Sequence, residues 1–207
     1  MFKNNYIVNI GILMLCAFFG LCHQAPAQQM SAQKVQKVIF PKSPDHLLIS
    51  YAIHHEMLAT NDPIPLLQIF GDGRVLVHRP DHLKQAGDYE MFFSQKELQD
   101  LALALIEQQI MSFTEESVQQ QIEQADLDSG SRPQVSDNSR ISLVFNVHGV
   151  KIRGQKRIHP VGKRLHRLDK IGPMARFYPT IKSVGDMAEI EKALYSLVYS
   201  SRLTPVP

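Results

Sequence analysis

The sequence predicts an α+β fold: an antiparallel sheet of about five or six strands, built from two hairpins and covered on one side by two principal helices. Two apolar runs flank Gly71-Asp72-Gly73, a second alternating stretch begins at Ile141, and apolar residues at helical spacing occur after each. Hydrophobic residues make up 44% and charged residues 20% of the 207. This composition is typical of a globular chain and argues against wholesale disorder.

The first 27 residues have the order of a secretory signal peptide. Lys3 is their only charge, a mostly apolar run covers 6–21, and Ala25-Pro26-Ala27 is the small-x-small pattern that signal peptidase recognises. The apolar run is shorter than the roughly 20 residues that a spanning helix needs. We therefore expect cleavage after Ala27 rather than retention as a membrane anchor.

Lipidation at Cys22 is the less favoured fate, because Leu21 stands where a lipoprotein signal carries a small residue. Cleavage after Ala27 would remove Cys16 and Cys22, the only two cysteines. The mature chain would then have no disulfide and no thiol for catalysis or metal binding. We expect an exported protein, periplasmic or secreted, and most consistent with a bacterial periplasm.

The N-terminal half of the mature chain divides into an arm, a strand and a hairpin. Residues 28–45 are polar and are predicted to be a leader arm ahead of a single domain over 46–202. Residues 47–55 alternate between apolar and polar, as a half-buried strand does. The apolar runs 66–70 and 74–78 are predicted to form a hairpin, because the glycines between them supply the positive φ of a tight turn. A phosphate loop is excluded, since neither Lys-Ser/Thr nor a helical pattern follows.

Two helices are predicted after the first hairpin. A short strand over 89–93 leads to Ser94 and Glu97, which form a capping box that opens the first helix. Thr114 opens a second, glutamine-rich helix, which is predicted to end near Ala125.

The second hairpin is predicted from alternation and a glycine. A polar loop over 126–138 precedes an alternating strand over 141–147, and Gly149 is predicted to turn the chain so that Val150 starts back. The following basic stretch, to about Lys182, is predicted to be irregular.

The last helix is predicted to begin at Asp186 and Glu189, which would cap its first turn. Its inner face carries apolar residues at helical spacing: Met187, Ile190, Leu194, Leu197 and Val198. Residues 203–207 are expected to be a frayed tail.

Around the first hairpin the sequence resembles exported bacterial proteins that are themselves mostly uncharacterised. These proteins have an apolar strand that runs into Gly-Asp-Gly-Arg/Thr-Val, then a helix, then a later alternating strand. The corresponding pieces here are 66–75, 89–106 and 140–147. The resemblance implies this fold and a secreted protein, and it carries no catalytic residue.

Histidines are the candidate catalytic residues. His54, His78 and His148 each lie on the more polar face of a predicted strand, at or near its end. If those ends gathered at one sheet edge, the imidazoles would suit zinc or proton transfer, and the protein would be an envelope hydrolase or metal-dependent enzyme. The plainer interpretation, three separate solvated histidines, is favoured because no ligand spacing is present. His55-Glu56 lacks the second histidine of a zinc-protease helix, so no metal or cofactor is predicted.

Charge is distributed unevenly along the chain. Residues 151–176 hold nine basic residues against one acid, whereas 83–138 hold eleven acids against three bases. The two stretches either face each other or are merely solvated, or the basic run binds an anionic lipid headgroup, glycan or acidic protein of the envelope. Lys163, Arg164 and Arg167 are the candidate binding residues.

The predicted function is therefore a non-enzymatic exported domain that binds or scaffolds an envelope component. The enzyme described above is the alternative, and a structural domain of a larger complex is a third interpretation. Nucleic acid is not an expected partner, because the net charge is only +2 and the basic run lacks interleaved aromatic residues.

Overall fold

The computed structural model describes residues 34–55, 62–133, 139–169 and 171–207. Within these ranges the chain has the predicted α+β fold, with eight strands in one antiparallel sheet and four helices. The predicted signal peptide and the first residues of the leader arm lie outside the described residues. None of the helices in the described part is long and apolar enough to cross a membrane.

The elements follow the chain in this order: β1 (Val35–Ile39), β2 (Leu47–His55), β3 (Leu67–Phe70), β4 (Arg74–Arg79), β5 (Gly87–Phe92), α1 (Gln95–Glu107), α2 (Glu115–Ser129), β6 (Ser139–Ile152), β7 (Ile158–Asp169), α3 (Ile171–Phe177), α4 (Lys182–Val198) and β8 (Thr204–Pro205).

The sheet is organised around β6, its longest strand. Along one edge β6 pairs with β7, and along the other it pairs first with β2 and then with β1. The order continues from β2 through β3, β4 and β5 to β8. Strand β7 is therefore terminal at one end of the sheet.

The helices pack on the face of the sheet that carries the odd-numbered side chains of β2 and β4. Tyr51 of β2 is buried and reaches Glu191 of α4, and Val75 and Val77 of β4 are buried on the same face. The side chains of α4 at 187, 190, 194 and 198 are also buried, which confirms the predicted inner face there.

The first hairpin is confirmed, and each glycine has a physical reason. Gly73 has a φ of +105°, and a Cβ at Gly71 would lie 1.9 Å from the carbonyl oxygen of Pro41. The Arg74 amide donates to Asp72 Oδ1 at 3.0 Å and closes the turn. Gly73 is thus required for its positive φ, and Gly71 is required because the Pro41 backbone approaches it too closely for a side chain.

The predicted turn at Gly149 is wrong. Strand β6 continues through Gly149, which lies opposite Pro160 of β7, and the chain reverses only after Ile152. A Cβ at Gly149 would be 2.6 Å from the carbonyl oxygen of His159, so this glycine permits close contact between two strands. The stretch predicted to be irregular contains β7 and α3.

The polar arm contains a strand that the sequence pattern did not predict. The side chain of Gln99 in α1 takes the place of a neighbouring strand at the free edge of β1. The Val38 N–H donates to Gln99 Oε1 at 3.0 Å, and Gln99 Nε2 donates to the Val38 carbonyl oxygen at 2.7 Å. Val38 itself is buried in the core.

Helix boundaries and the tail also differ from expectation. The capping box of Ser94 and Glu97 is confirmed. Helix α2 extends past Ala125 to its left-handed C-cap at Gly130, and α4 begins at Lys182, a full turn before Asp186. The predicted frayed tail includes β8, which pairs with β5.

Candidate functional site

The candidate binding residues Lys163, Arg164 and Arg167 all lie on β7 and are exposed. Successive side chains of a strand point to opposite faces. Lys163, Leu165 and Arg167 therefore share one face, and Arg164 lies on the other. His166, on the same face as Arg164, is buried and packs against Phe113, with the ring centroids 5.6 Å apart.

The salt bridges that the described carboxylates of the acid-rich stretch form are with residues outside the basic run. Asp126 pairs with Arg132 at 3.7 Å and Glu97 pairs with Arg202 at 2.6 Å. Among the described side chains no salt bridge joins 83–133 to 151–168 or 171–176.

Apolar surface accompanies the charge on β7. The side chain of Leu165 is 51% exposed and that of Ile158 is 50% exposed. In the described part of the chain β7 pairs only with β6, so its outer edge carries backbone N–H and C=O groups without a strand partner.

The three candidate catalytic histidines, His54, His78 and His148, do not lie in one site. His54 lies near the C-terminal end of β2, opposite Arg140 in the register. The ring of His148 packs on that of His46, 5.6 Å away, just before β2 begins. Eight residues of extended chain separate His46 from His54, a distance of about 26 Å. The structure therefore places His148 at the opposite end of β2 from His54.

His78 lies on β4 and is held between two carboxylates. Its Nε2 is 2.7 Å from Asp62 Oδ2 and its Nδ1 is 2.6 Å from Asp88 Oδ1. Burial lowers the pKa of His78, but the hydrogen bonds to Asp88 and Asp62 outweigh it and raise that pKa above its ordinary value. Both ring nitrogens are engaged, so this imidazole orders neighbouring segments and is not presented to a substrate.

A pocket of about 300 Å³ opens beside this cluster. It lies between the end of β2, the segment before β3, the β4–β5 connection and α4. Its polar lining comes from five residues: His55, Asp62, His82, Glu191 and Tyr195. The rings of His55 and His82 are 6.0 Å apart and perpendicular.

Glu191 is the most unusual group of the pocket. Burial raises the pKa of its carboxyl, and a hydrogen bond from Tyr51 opposes that change only in part. The Tyr51 hydroxyl is 3.5 Å from Glu191 Oε1, at the outer limit of a hydrogen bond. A hydrogen bond with Tyr199 and burial raise the pKa of Tyr195 to about 12, so this phenol is neutral and is not an activated nucleophile.

Sequence reasoning selected His54 and missed His55, although a signal was present. His55 continues the face of Ile53 and Tyr51, the apolar face of β2, and a polar residue there at a strand end enters the packed side of the sheet. His82 and Glu191 carried no comparable signal, because their proximity depends on how the β4–β5 connection and α4 pack.

In the described ranges, no group of three or more His, Cys, Asp or Glu side chains is arranged to hold a metal ion. Comparison of the chain with protein-family models, with curated proteins and with solved structures found no match.

Proposed function

We propose that the protein is an exported, non-enzymatic binding domain that recognises an acidic, extended segment of a partner protein along the outer edge of β7. The observation that carries the proposal is a terminal strand with exposed basic side chains on both of its faces. The signal-like order of the first 27 residues supports an envelope location for the partner.

The edge of β7 favours a partner that is itself a strand. The unpaired N–H and C=O groups of an edge strand are a template for an added strand, whose backbone hydrogen bonds supply affinity independent of sequence. Pro160 removes one donor near the start of β7, so the usable part of the edge begins after it.

The placement of the charges favours a protein segment over a lipid surface. A membrane surface is flat and would meet only one face of β7, either Lys163 and Arg167 or Arg164. A strand added at the edge has side chains that alternate between the same two faces, so its carboxylates would reach all three cations.

Leu165 indicates which side chains the bound partner segment would carry. It lies between Lys163 and Arg167 on one face, so a complementary strand would carry an apolar side chain flanked by two acidic ones at alternate positions. Cross-strand pairs of this kind contribute about 0.2–1 kcal/mol each. Several such pairs with the backbone ladder would give a specific but reversible complex.

The test uses a synthetic peptide with Glu, Leu and Glu at alternate positions and a further Glu at the intervening position opposite Arg164, a matched peptide with Lys in place of Glu, and phosphatidylglycerol vesicles. We expect the acidic peptide alone to bind in calorimetric titration, and to slow hydrogen exchange of the β7 amides. The triple change Lys163→Glu, Arg164→Glu and Arg167→Glu should weaken binding at least about tenfold.

The matched control reverses three exposed lysines elsewhere, Lys42→Glu, Lys84→Glu and Lys192→Glu, with the same change in net charge. We expect it to bind nearly as the unchanged protein does. Equal loss in both triple variants, binding to vesicles but not to the peptide, or binding without protection of β7 would each overturn the proposal.

A further inference from the structure

The pocket beside His78 is independent of the β7 surface and has its own charge pattern. Among the described residues that line the pocket there is no Lys or Arg, whereas two carboxylates, Asp62 and Glu191, line it. At about 300 Å³ it is at the lower end of the range for small-molecule sites. The rest of its wall is largely apolar and includes Ile53, Leu66 and Leu83.

The carboxylates of Asp62 and Glu191 differ in the hydrogen bonds that they accept. Asp62 is already satisfied: its Oδ1 accepts from the Ile64 amide at 2.9 Å and its Oδ2 from His78 at 2.7 Å. These hydrogen bonds, first that of the Ile64 amide and then that of His78, hold the pKa of Asp62 below its usual range. Asp62 is therefore an ordered negative charge at the pocket wall.

Glu191 is poorly satisfied by the protein itself. Its one hydrogen bond among the described residues is the long one from Tyr51, which reaches Oε1 only. A partly buried carboxylate with so few donors is costly when ionised, and a cation placed beside it would offset much of that cost. The Tyr195 ring in the same wall offers a face that also attracts cations.

We propose that this pocket binds a small organic amine, with the ammonium group between Glu191 and Asp62 and an apolar body against Ile53, Leu66 and Leu83. The ring nitrogens of His55 and His82, which also line the pocket, would accept hydrogen bonds from remaining N–H groups of such a ligand.

The test compares three probes of one shape that differ in charge: benzylamine, benzyl alcohol and benzoate. Titration is followed by NMR chemical shifts at about pH 8. We expect benzylamine to shift resonances of the pocket residues, benzyl alcohol to bind at least about tenfold more weakly, and benzoate not to bind. This series requires no variant, so it does not depend on whether a mutant folds.

Variants locate the ammonium group. Glu191→Gln preserves the shape of the side chain and should weaken benzylamine binding at least about tenfold. Glu189→Gln, on the exposed side of the same helix, is the matched control and should leave binding unchanged. Benzoate binding as tight as benzylamine binding, equal behaviour of the two variants, or no benzylamine binding at millimolar concentration would overturn the inference.

Discussion

Arg79 donates from both Nε and Nη2 to the carbonyl oxygen of Val198, at 2.9 and 2.7 Å, and thereby ties the end of β4 to the C-terminus of α4. Arg79 is 3% exposed, and its remaining hydrogen bond goes to the neutral amide of Gln85 at 2.8 Å. Its guanidinium lies over the rings of Tyr89 and Tyr199, at 4.2 and 4.9 Å. A helix C-terminus carries partial negative charge, so the cation is stabilised there without a carboxylate.

We expect Arg79→Ala to lower the free energy of unfolding by about 2–4 kcal/mol, since hydrogen bonds to a charged group and cation–π contacts are lost together. Urea denaturation followed by circular dichroism measures this. Arg176→Ala, an exposed change, is the control and should stay within about 0.5 kcal/mol. A similar loss in both variants would mean that Arg79 has no special role.

The Asp62–His78–Asp88 cluster predicts a pH dependence of stability. The folded-state pKa of His78 is raised, so its contribution is fully present below its unfolded pKa of about 6.5 and is lost as pH rises through the folded pKa. The folded-state pKa of Asp62 is lowered, so its contribution is present above its unfolded pKa of about 3.9 and is lost as pH falls through the folded value.

The difference in melting temperature between the unchanged protein and His78→Gln should therefore be largest between about pH 4 and 6.5 and decrease on both sides. Thermal melts in a series of buffers measure it. His148→Gln, which removes an exposed imidazole elsewhere in the sheet, is the control. A difference for His78→Gln that is independent of pH would contradict the assignment.

Two glycines should respond in opposite directions to the same substitution. Gly71→Ala places a Cβ 1.9 Å from the Pro41 carbonyl oxygen and should lower the free energy of unfolding by about 2–3 kcal/mol. Gly185→Ala, in α4 with nothing within 4 Å of the new Cβ, should raise it by about 0.5–1 kcal/mol. Denaturant midpoints report both. If Gly71→Ala is neutral, the close approach to Pro41 is wrong.

Export predicts a definite N-terminus. Intact mass measurement of protein from its native host should give a chain that begins at Gln28, because Ala25-Pro26-Ala27 precedes it. Lipid modification would instead give a chain that begins at Cys22 with added acyl mass. An unprocessed chain in the cytosolic fraction would contradict the envelope location.

Local patterns predicted the parts of the fold that short-range physics determines. The Gly-Asp-Gly hairpin depends on backbone conformation within a few residues, and the Ser94 capping box depends on hydrogen bonds within one helical turn. The alternation over Leu47–His55 predicted β2 with its bounds, but the prediction of a half-buried strand is wrong, because residues 48–52 are buried on both faces of the sheet.

Patterns failed where the partner of a segment is distant in sequence. Strand β7 is largely exposed and has no apolar alternation, so only its pairing with β6 reveals it. Strand β1 pairs with the far end of β6, and its other edge bonds to Gln99, which lies 61 residues beyond Val38. The sequence pattern at Gly149 predicts a turn, because a glycine in a turn cannot be distinguished by sequence from a mid-strand glycine that permits a close cross-strand contact.

From the sequence alone, the fold class, the first hairpin and the basic stretch followed, because composition, local conformation and charge are properties of neighbouring residues. Only the tertiary structure separated His148 from His54 and brought His55, His82 and Glu191 to one pocket. The reason is that each of these side chains is placed by a different element, and packing between elements depends on the complementarity of whole faces, which no short stretch of sequence encodes.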